Sequence, residues 1–189
     1  MEVDRVVRKQ SRGRFAICAI LAEGESDGAM RKGYREMGYR LGRTEPLMVH
    51  RLKKIGRVTC PAVIEGVTTL EMAGRLAKAA RTRQILAEHL EESAPIRQYV
   101  ALVDGKPVGW VKSIVVGDAT WCSNMYVALK HRRRGIASAL LAKMLRDDRA
   151  GGAKVAVLLA GHVGALLYKT AGYEQIGMLY LWTPPRHRR

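Results

Sequence analysis

One stretch of the sequence restricts the fold more than any other. Thr120 to Val127 alternates like a strand, Lys130 to Arg134 is a basic run, and Gly135 precedes a helical repeat of Ile136, Leu140, Leu141, Met144 and Leu145. A chain that passes from strand to helix through such a loop is α/β at that point. The first turn of a helix leaves backbone N–H groups unpaired, and its dipole puts about half a positive charge there. Glycine at the entry lets a ligand come close to this backbone. The stretch therefore predicts a phosphate site. The dipole contributes only about 0.3–1 kcal/mol, so tight binding also needs several N–H bonds and the flanking Arg132, Arg133 and Arg134. The pattern is neither G-x-x-x-x-G-K-[ST] nor G-x-G-x-x-G, which argues against a nucleoside triphosphate or a dinucleotide.

The flanking sequence reads as the same class. Phe15 to Ala22 is a buried strand, and Asp27 caps a helix from Gly28 to Met37 that Gly38 ends. Leu47 to Val49 is a short strand, and Lys53 to Arg57 a basic linker. Thr68 or Thr69 starts a helix whose periodicity runs to Leu90, with a break near Thr82. Tyr99 to Val103 and Pro107 to Val116 pair across Asp104-Gly105, and Gly117-Asp118 turns into the Thr120 strand. On that strand, alternation sets Trp121, Ser123 and Met125 opposite Cys122, Asn124 and Tyr126. Lys154 to Ala160 is a strand, Gly164 to Ala171 a helix stopped by Gly172, and Tyr173 to Trp182 a last strand. An internal echo links Ile17 to Ala22 with Val155 to Ala160. Each run is followed by Tyr-x-x-x-Gly-Tyr, at Tyr34, Gly38, Tyr39 and at Tyr168, Gly172, Tyr173.

Composition bounds the partners. The chain has 33 Lys and Arg against 17 Asp and Glu, a net charge of +16, which favours an anionic partner. The excess is diffuse: 14 basic against 7 acidic residues through residue 60, and 19 against 10 beyond. With few interleaved aromatics, this disfavours a base-stacking nucleic-acid surface. Trp110, Trp121 and Trp182 read as core or substrate-pocket walls. No apolar run reaches membrane-spanning length and no secretory signal opens the chain, so no membrane and a cytoplasmic location are expected. Cys18, Cys60 and Cys122 read as buried thiols, and no metal-ligand spacing is present.

Arg132, Gly135 and Ala137, after a strand ending Met125-Tyr126-Val127, resemble the acyl-CoA pyrophosphate loop of the GNAT superfamily of N-acyltransferases. That family often has glycine where Arg133 stands. The Gly164 to Tyr173 segment resembles the family's later helix with its Gly-aromatic ending, and the Val100 to Trp110 hairpin resembles the strand pair before the loop. The resemblance covers about residues 60 to 182. It implies an α/β GNAT fold, a mixed, mostly antiparallel twisted sheet flanked by helices. Residues 58–183 would form the N-acetyltransferase domain, 1–57 a strand-helix-strand extension and half of a second unit, and 184–189 a basic tail. The extension would cover a sheet edge or the acceptor side, or pair with another subunit as a homodimer.

The resemblance also implies roles. Acetyl-CoA would be the co-substrate, with no metal. The backbone of Met125, Tyr126 and Val127 would meet the pantetheine arm, in a slot opened by splay from the Val155 strand. Arg132, Arg133, Arg134, Gly135, Ile136 and Ala137 would hold the pyrophosphate, and Tyr168 would protonate the departing thiolate. The acceptor would be the primary amine of a small molecule or peptide, attacking directly in a ternary complex. Such an amine is only about one part in 2,500 neutral at pH 7, so a base or proton relay is expected. Asn124 stands where relatives often place a carboxylate or amide and would hold a relaying water; Asp118 and His162 are other candidates. A basic surface favours an acidic or carboxylate-bearing acceptor. An inactive acyl-CoA-binding regulator and a nucleic-acid-associated module remain open as alternatives.

Overall fold

The computed structural model describes residues 2–11, 15–91 and 93–185. Arg12 and Arg14, and residues 186–189 of the expected tail, lie outside the described residues. The helices are α1 (Glu2–Gln10), α2 (Gly28–Glu36), α3 (Leu70–Ala80), α4 (Ile136–Ala150) and α5 (His162–Thr170). The strands are β1 (Ile17–Ala22), β2 (Arg40–His50), β3 (Val63–Gly66), β4 (Ile96–Val103), β5 (Lys106–Val116), β6 (Ala119–Val127), β7 (Val155–Leu159) and β8 (Glu174–Thr183).

The chain divides into two compact units. One comprises residues 1–48, 159–165 and 175–189, the other 49–158 and 166–174. In the first, the strand order is β1-β8-β2, with β1 antiparallel to β8. Its core is aromatic: Tyr34 of α2 stacks on Trp182 with centroids 4.8 Å apart, over Ile17, Tyr39 and Tyr180. In the second unit the order is β7-β6-β5-β4-β3, antiparallel except for the parallel β6–β7 pair. Here α4 buries Ile136, Leu140, Leu141, Met144 and Leu145, the predicted stripe. Across the sheet, Leu76 of α3 packs with Val67, Ile85, Val100, Leu102 and Trp110.

Several expectations need correction. Asp27 precedes α2 but makes no capping bond; its carboxylate pairs instead with Arg31. β2 begins at Arg40 rather than Leu47 and runs through Pro46. Thr69 caps α3, its hydroxyl accepting the Met72 N–H, but the helix stops at Arg81, which is left-handed at φ 57°. Residues 82–86 are extended or coil, and a 3-10 turn covers Ala87–Leu90. Ile85 reaches the core from coil, so apolar spacing there does not mean helix. Cys18 is exposed and Cys60 half-buried; only Cys122 is buried as expected.

The echo is present in local geometry. Tyr39 N–H bonds Tyr34 O at 2.9 Å and Tyr173 N–H bonds Tyr168 O at 3.0 Å, across Gly38 and Gly172 at φ 76° and 97°. The tyrosine pairs meet edge to face at 5.5 Å and 71°, and at 5.6 Å and 69°.

His50 supplies an acid-sensitive contact. It is buried, its Nδ1 accepts the Leu52 N–H at 2.9 Å, and burial pulls its pKa below the ordinary imidazole value. The unfolded chain protonates His50 near pH 6.5 while the folded one resists, so its stabilisation is complete above that pH and is lost as pH falls through the folded pKa. The urea midpoint is expected to drop between about pH 7.5 and about pH 5, and less steeply in His50→Gln. Equal slopes in the two proteins would count against this origin.

Candidate functional site

β6 does not keep strict alternation. Thr120 and Cys122 are buried on the α4 side, yet so is Val127, an odd position. The switch occurs at Asn124, which is left-handed at φ 54°. Trp110 pairs with Tyr126 and Lys112 with Ser123, so two residues of β6 face one of β5. This is a β-bulge, and asparagine tolerates its left-handed member better than most side chains. The expected common face of Cys122, Asn124 and Tyr126 is therefore broken.

The bulge lies where β6 loses its other neighbour. β6 and β7 pair in parallel at Ala119–Val155, Thr120–Ala156 and Trp121–Val157, and the ladder ends there. From Cys122 onward β6 has no ladder pairing with β7, which leaves its edge on that side without a strand partner, save that Val127 O accepts from Arg132. A 3-10 turn (Leu129–His131) then leads to α4.

The loop before α4 is more differentiated than its basic run implies. Arg132 does not face a ligand with all its groups: its Nε donates to Val127 O at 2.9 Å, and its N–H bonds Leu129 O. It braces the loop against the end of β6. Arg133 and Arg134 are exposed and make no ion pair among the described residues. Arg133 is left-handed at φ 60°, a geometry glycine fits without strain. Gly135 is also left-handed, at φ 78°, and a Cβ there would lie 3.3 Å from Thr59 O and 3.6 Å from Cys60 Cβ. The coil before β3 thus passes close to the start of α4. Arg146 and Arg149 of α4 hold the same coil through Gly56 O and Lys53 O. The N–H groups of the first turn, from Ile136 and Ala137 on, remain for a ligand.

Tyr168 of α5 is nearly buried, at 9% exposure, and rests edge-on against Tyr173. Burial, with the Cys122 thiol nearby on β6, raises its pKa, so it stays protonated at neutral pH. The same surroundings push Cys122 up to about 12.

On the other face of β6 lies a cleft of about 560 Å3, bounded by the end of α3, Gln84, Trp110 and Asn124 to Tyr126. Asn124 Nδ2 donates to Gln84 Oε1, and Gln84 Nε2 to Thr82 O at 3.3 Å. The Tyr126 ring stacks on Trp110 with centroids 4.4 Å apart. Of Tyr126, only the backbone is left for the slot.

Residues 95–175 match the family model described as Acetyltransferase (GNAT) domain. The chain has the GNAT fold. Its fold is similar to a GCN5-related N-acetyltransferase from Kribbella flavida (21% identity, TM-score 0.68, covering 89% of this chain and 68% of that one). It is also similar to one from Sphaerobacter thermophilus (21%, 0.66, covering 97% and 65%). A tandem GNAT protein from the clavulanic acid biosynthesis pathway is a third (16%, 0.62, covering 96% and 67%). The chain spans about two thirds of the length of each. At these identities the likeness is one of fold. No curated protein matches.

Within this GNAT fold, the bulge, the unpaired stretch of β6, the α4 entry and Tyr168 all belong to one compact unit. Asp118 does not join them: it is ion-paired with Lys154 at 3.0 Å before β6, about 20 Å of strand from Asn124. His162, the first residue of α5, contacts the Thr44 hydroxyl at 3.1 Å. Sequence reasoning missed Gln84, a buried amide in coil that no periodicity marks. It also missed Asp148, buried in α4 and accepting from Ser113 at 2.7 Å and from Thr120 and Arg97 at 2.9 Å. Among the described residues no helix is long and apolar enough to cross a membrane.

Proposed function

We propose that the chain transfers an acetyl group from acetyl-CoA to a primary amine, by direct attack in a ternary complex. The observation that carries this reading is the divergence of β6 from β7 beside a helix entered through Gly135. An extended arm can pair with the open edge of β6, and the α4 entry can take its phosphates. Acetyl-CoA supplies the activated thioester. The N–H groups from Ile136 onward hold the pyrophosphate, with Arg133 and Arg134 flanking and Arg132 as brace. The backbone of Met125 to Val127 aligns the arm.

The amine enters from the cleft on the other face of β6. Its nitrogen forms the new C–N bond as the C–S bond breaks, one proton leaves the nitrogen, and one reaches the sulfur. Asn124 commits its Nδ2 to Gln84, and its Oδ1 is able to accept from a water that carries the amine proton away. Tyr168, protonated by its burial, supplies the proton to sulfur. The first 57 residues are read as half of a second unit, a reading supported by the matching tyrosine and glycine geometries.

The test is thermal stabilisation by acetyl-CoA, followed by thiol release with a panel of amines. Gly135→Asp is expected to abolish the stabilisation. It adds charge against phosphate at a left-handed position whose Cβ crowds Thr59 O. Gly135→Ala carries the same backbone strain, about 1–2 kcal/mol, without the charge, and should melt lower yet still respond to acetyl-CoA. A normal response in the Asp variant would remove the phosphate-loop assignment.

A further inference from the structure

We infer that the acceptor is a small amine that also carries a carboxylate, with an apolar or aromatic body between the two groups. The inference rests on the acyl-transfer reading for the role of the cleft, and on the cleft's own chemistry for the class of molecule.

Charge comes first. Arg81 lines the cleft and no Asp or Glu does. Arg81 is exposed and makes no ion pair among the described residues. The end of α3 at the same rim contributes about half a negative charge through its last carbonyls, less than the whole positive charge of one arginine. The balance is anion-accepting. A polyamine or aminoglycoside would bring several ammonium groups to a wall with no counter-charge, whereas a carboxylate finds a planar guanidinium fork.

Position comes second. Arg81 ends α3 in a left-handed conformation, and Thr82, Gln84 and Asn124 follow along the wall toward the bulge. The cation and the open edge of β6 therefore lie at different parts of one cleft. An acceptor whose carboxylate meets Arg81 presents its amine toward Asn124.

The third observation is the wall between them. Tyr126 is 39% exposed and stacks on Trp110, which is 7% exposed, so the pair offers an aromatic surface with an apolar core behind it. An apolar or aromatic body gains from that surface; a highly hydroxylated one does not. At about 560 Å3, the cleft is of small-molecule size.

The experiment uses the full chain, saturating acetyl-CoA and matched pairs: 6-aminohexanoate with hexylamine, and 4-(aminomethyl)benzoate with 4-methylbenzylamine. Rates are read as acetylated product by mass spectrometry, and binding of each amine separately by calorimetry. Arg81→Gln is expected to lower the rate ratio of the carboxylate member to its partner by about 10- to 100-fold, the scale of one charged hydrogen-bonded pair. Arg81→Lys keeps the charge and should retain part of the ratio. Comparing one pair across variants cancels its difference in amine basicity. Arg81-dependent binding of 6-aminohexanoate or 4-(aminomethyl)benzoate without product would support the carboxylate site while overturning acyl transfer. A ratio unmoved by Arg81→Gln overturns the inference. So does spermidine acetylated faster than every carboxylate-bearing amine, or neither binding nor product with either aminocarboxylate.

Discussion

Replacing Asp148 by alanine is expected to cost about 3–5 kcal/mol of folding free energy. The carboxylate has no solvent exposure, and it accepts from three groups on three strands: Arg97 of β4, Ser113 of β5 and Thr120 of β6. Burial pushes its pKa up, and the two hydroxyls and the guanidinium pull the other way. Without the acceptor, Ser113 and Thr120, at 0% and 1% exposure, keep buried hydroxyls with nothing to bond. Each such group costs about 1–3 kcal/mol. Arg97 is 31% exposed and recovers part of its loss from water. Asp148→Asn retains one acceptor oxygen but turns an NH2 toward a donor, so it should fall between alanine and wild type. Urea denaturation measures all three; a loss under about 1 kcal/mol in Asp148→Ala would show that water replaces the carboxylate. The contact matters for the proposed function because it locks α4, whose first turn is the proposed phosphate site, to the strand that carries the bulge.

This network also shows where sequence reading stops. The apolar stripe of α4 was visible at Ile136, Leu140, Met144 and their neighbours because burial on one helix face imposes its period. Asp148 continues the same stripe, and a carboxylate there is a signal, but its partners lie on strands far away in sequence. The β4–β5 hairpin was legible because Asp104 and Gly105 both take positive φ, at 48° and 70°, which that pair of residues tolerates. The bulge was not: asparagine is ordinary in many loops, and only the ladder register shows an extra residue. β3 was missed because four residues at a sheet edge, all at least partly exposed, leave no alternation to read. The basic loop before α4 was legible as a motif, yet the role of Arg132 as a brace depends on the position of the Val127 carbonyl, which no spacing encodes. The proposed cofactor-side features therefore came from local pattern. The cleft, whose wall joins Arg81 and Gln84 to Trp110 and Tyr126, required the fold.

Tyr168→Phe is expected to lower turnover by about 10²- to 10⁴-fold, the range of a positioned general acid, while acetyl-CoA still stabilises the protein. The ring is what packs: it meets Tyr173 at 5.6 Å, and phenylalanine preserves that contact. The melting temperature should therefore change little, which separates this role from a structural one. Proton transfer from so weak an acid looks unfavourable, because a thiol in water has a pKa near 8.5. The site alters the comparison. Burial raises the Cys122 thiol beside Tyr168, and a low-dielectric setting disfavours a free thiolate on a leaving sulfur in the same direction. That shift narrows the gap between acid and base and makes the proton transfer less uphill. The hydroxyl also donates a hydrogen bond to the charge as it forms on sulfur. Removing it should depress kcat with little change in KM for acetyl-CoA. Turnover within about threefold of wild type would leave Tyr168 as a core aromatic, and water as the proton source.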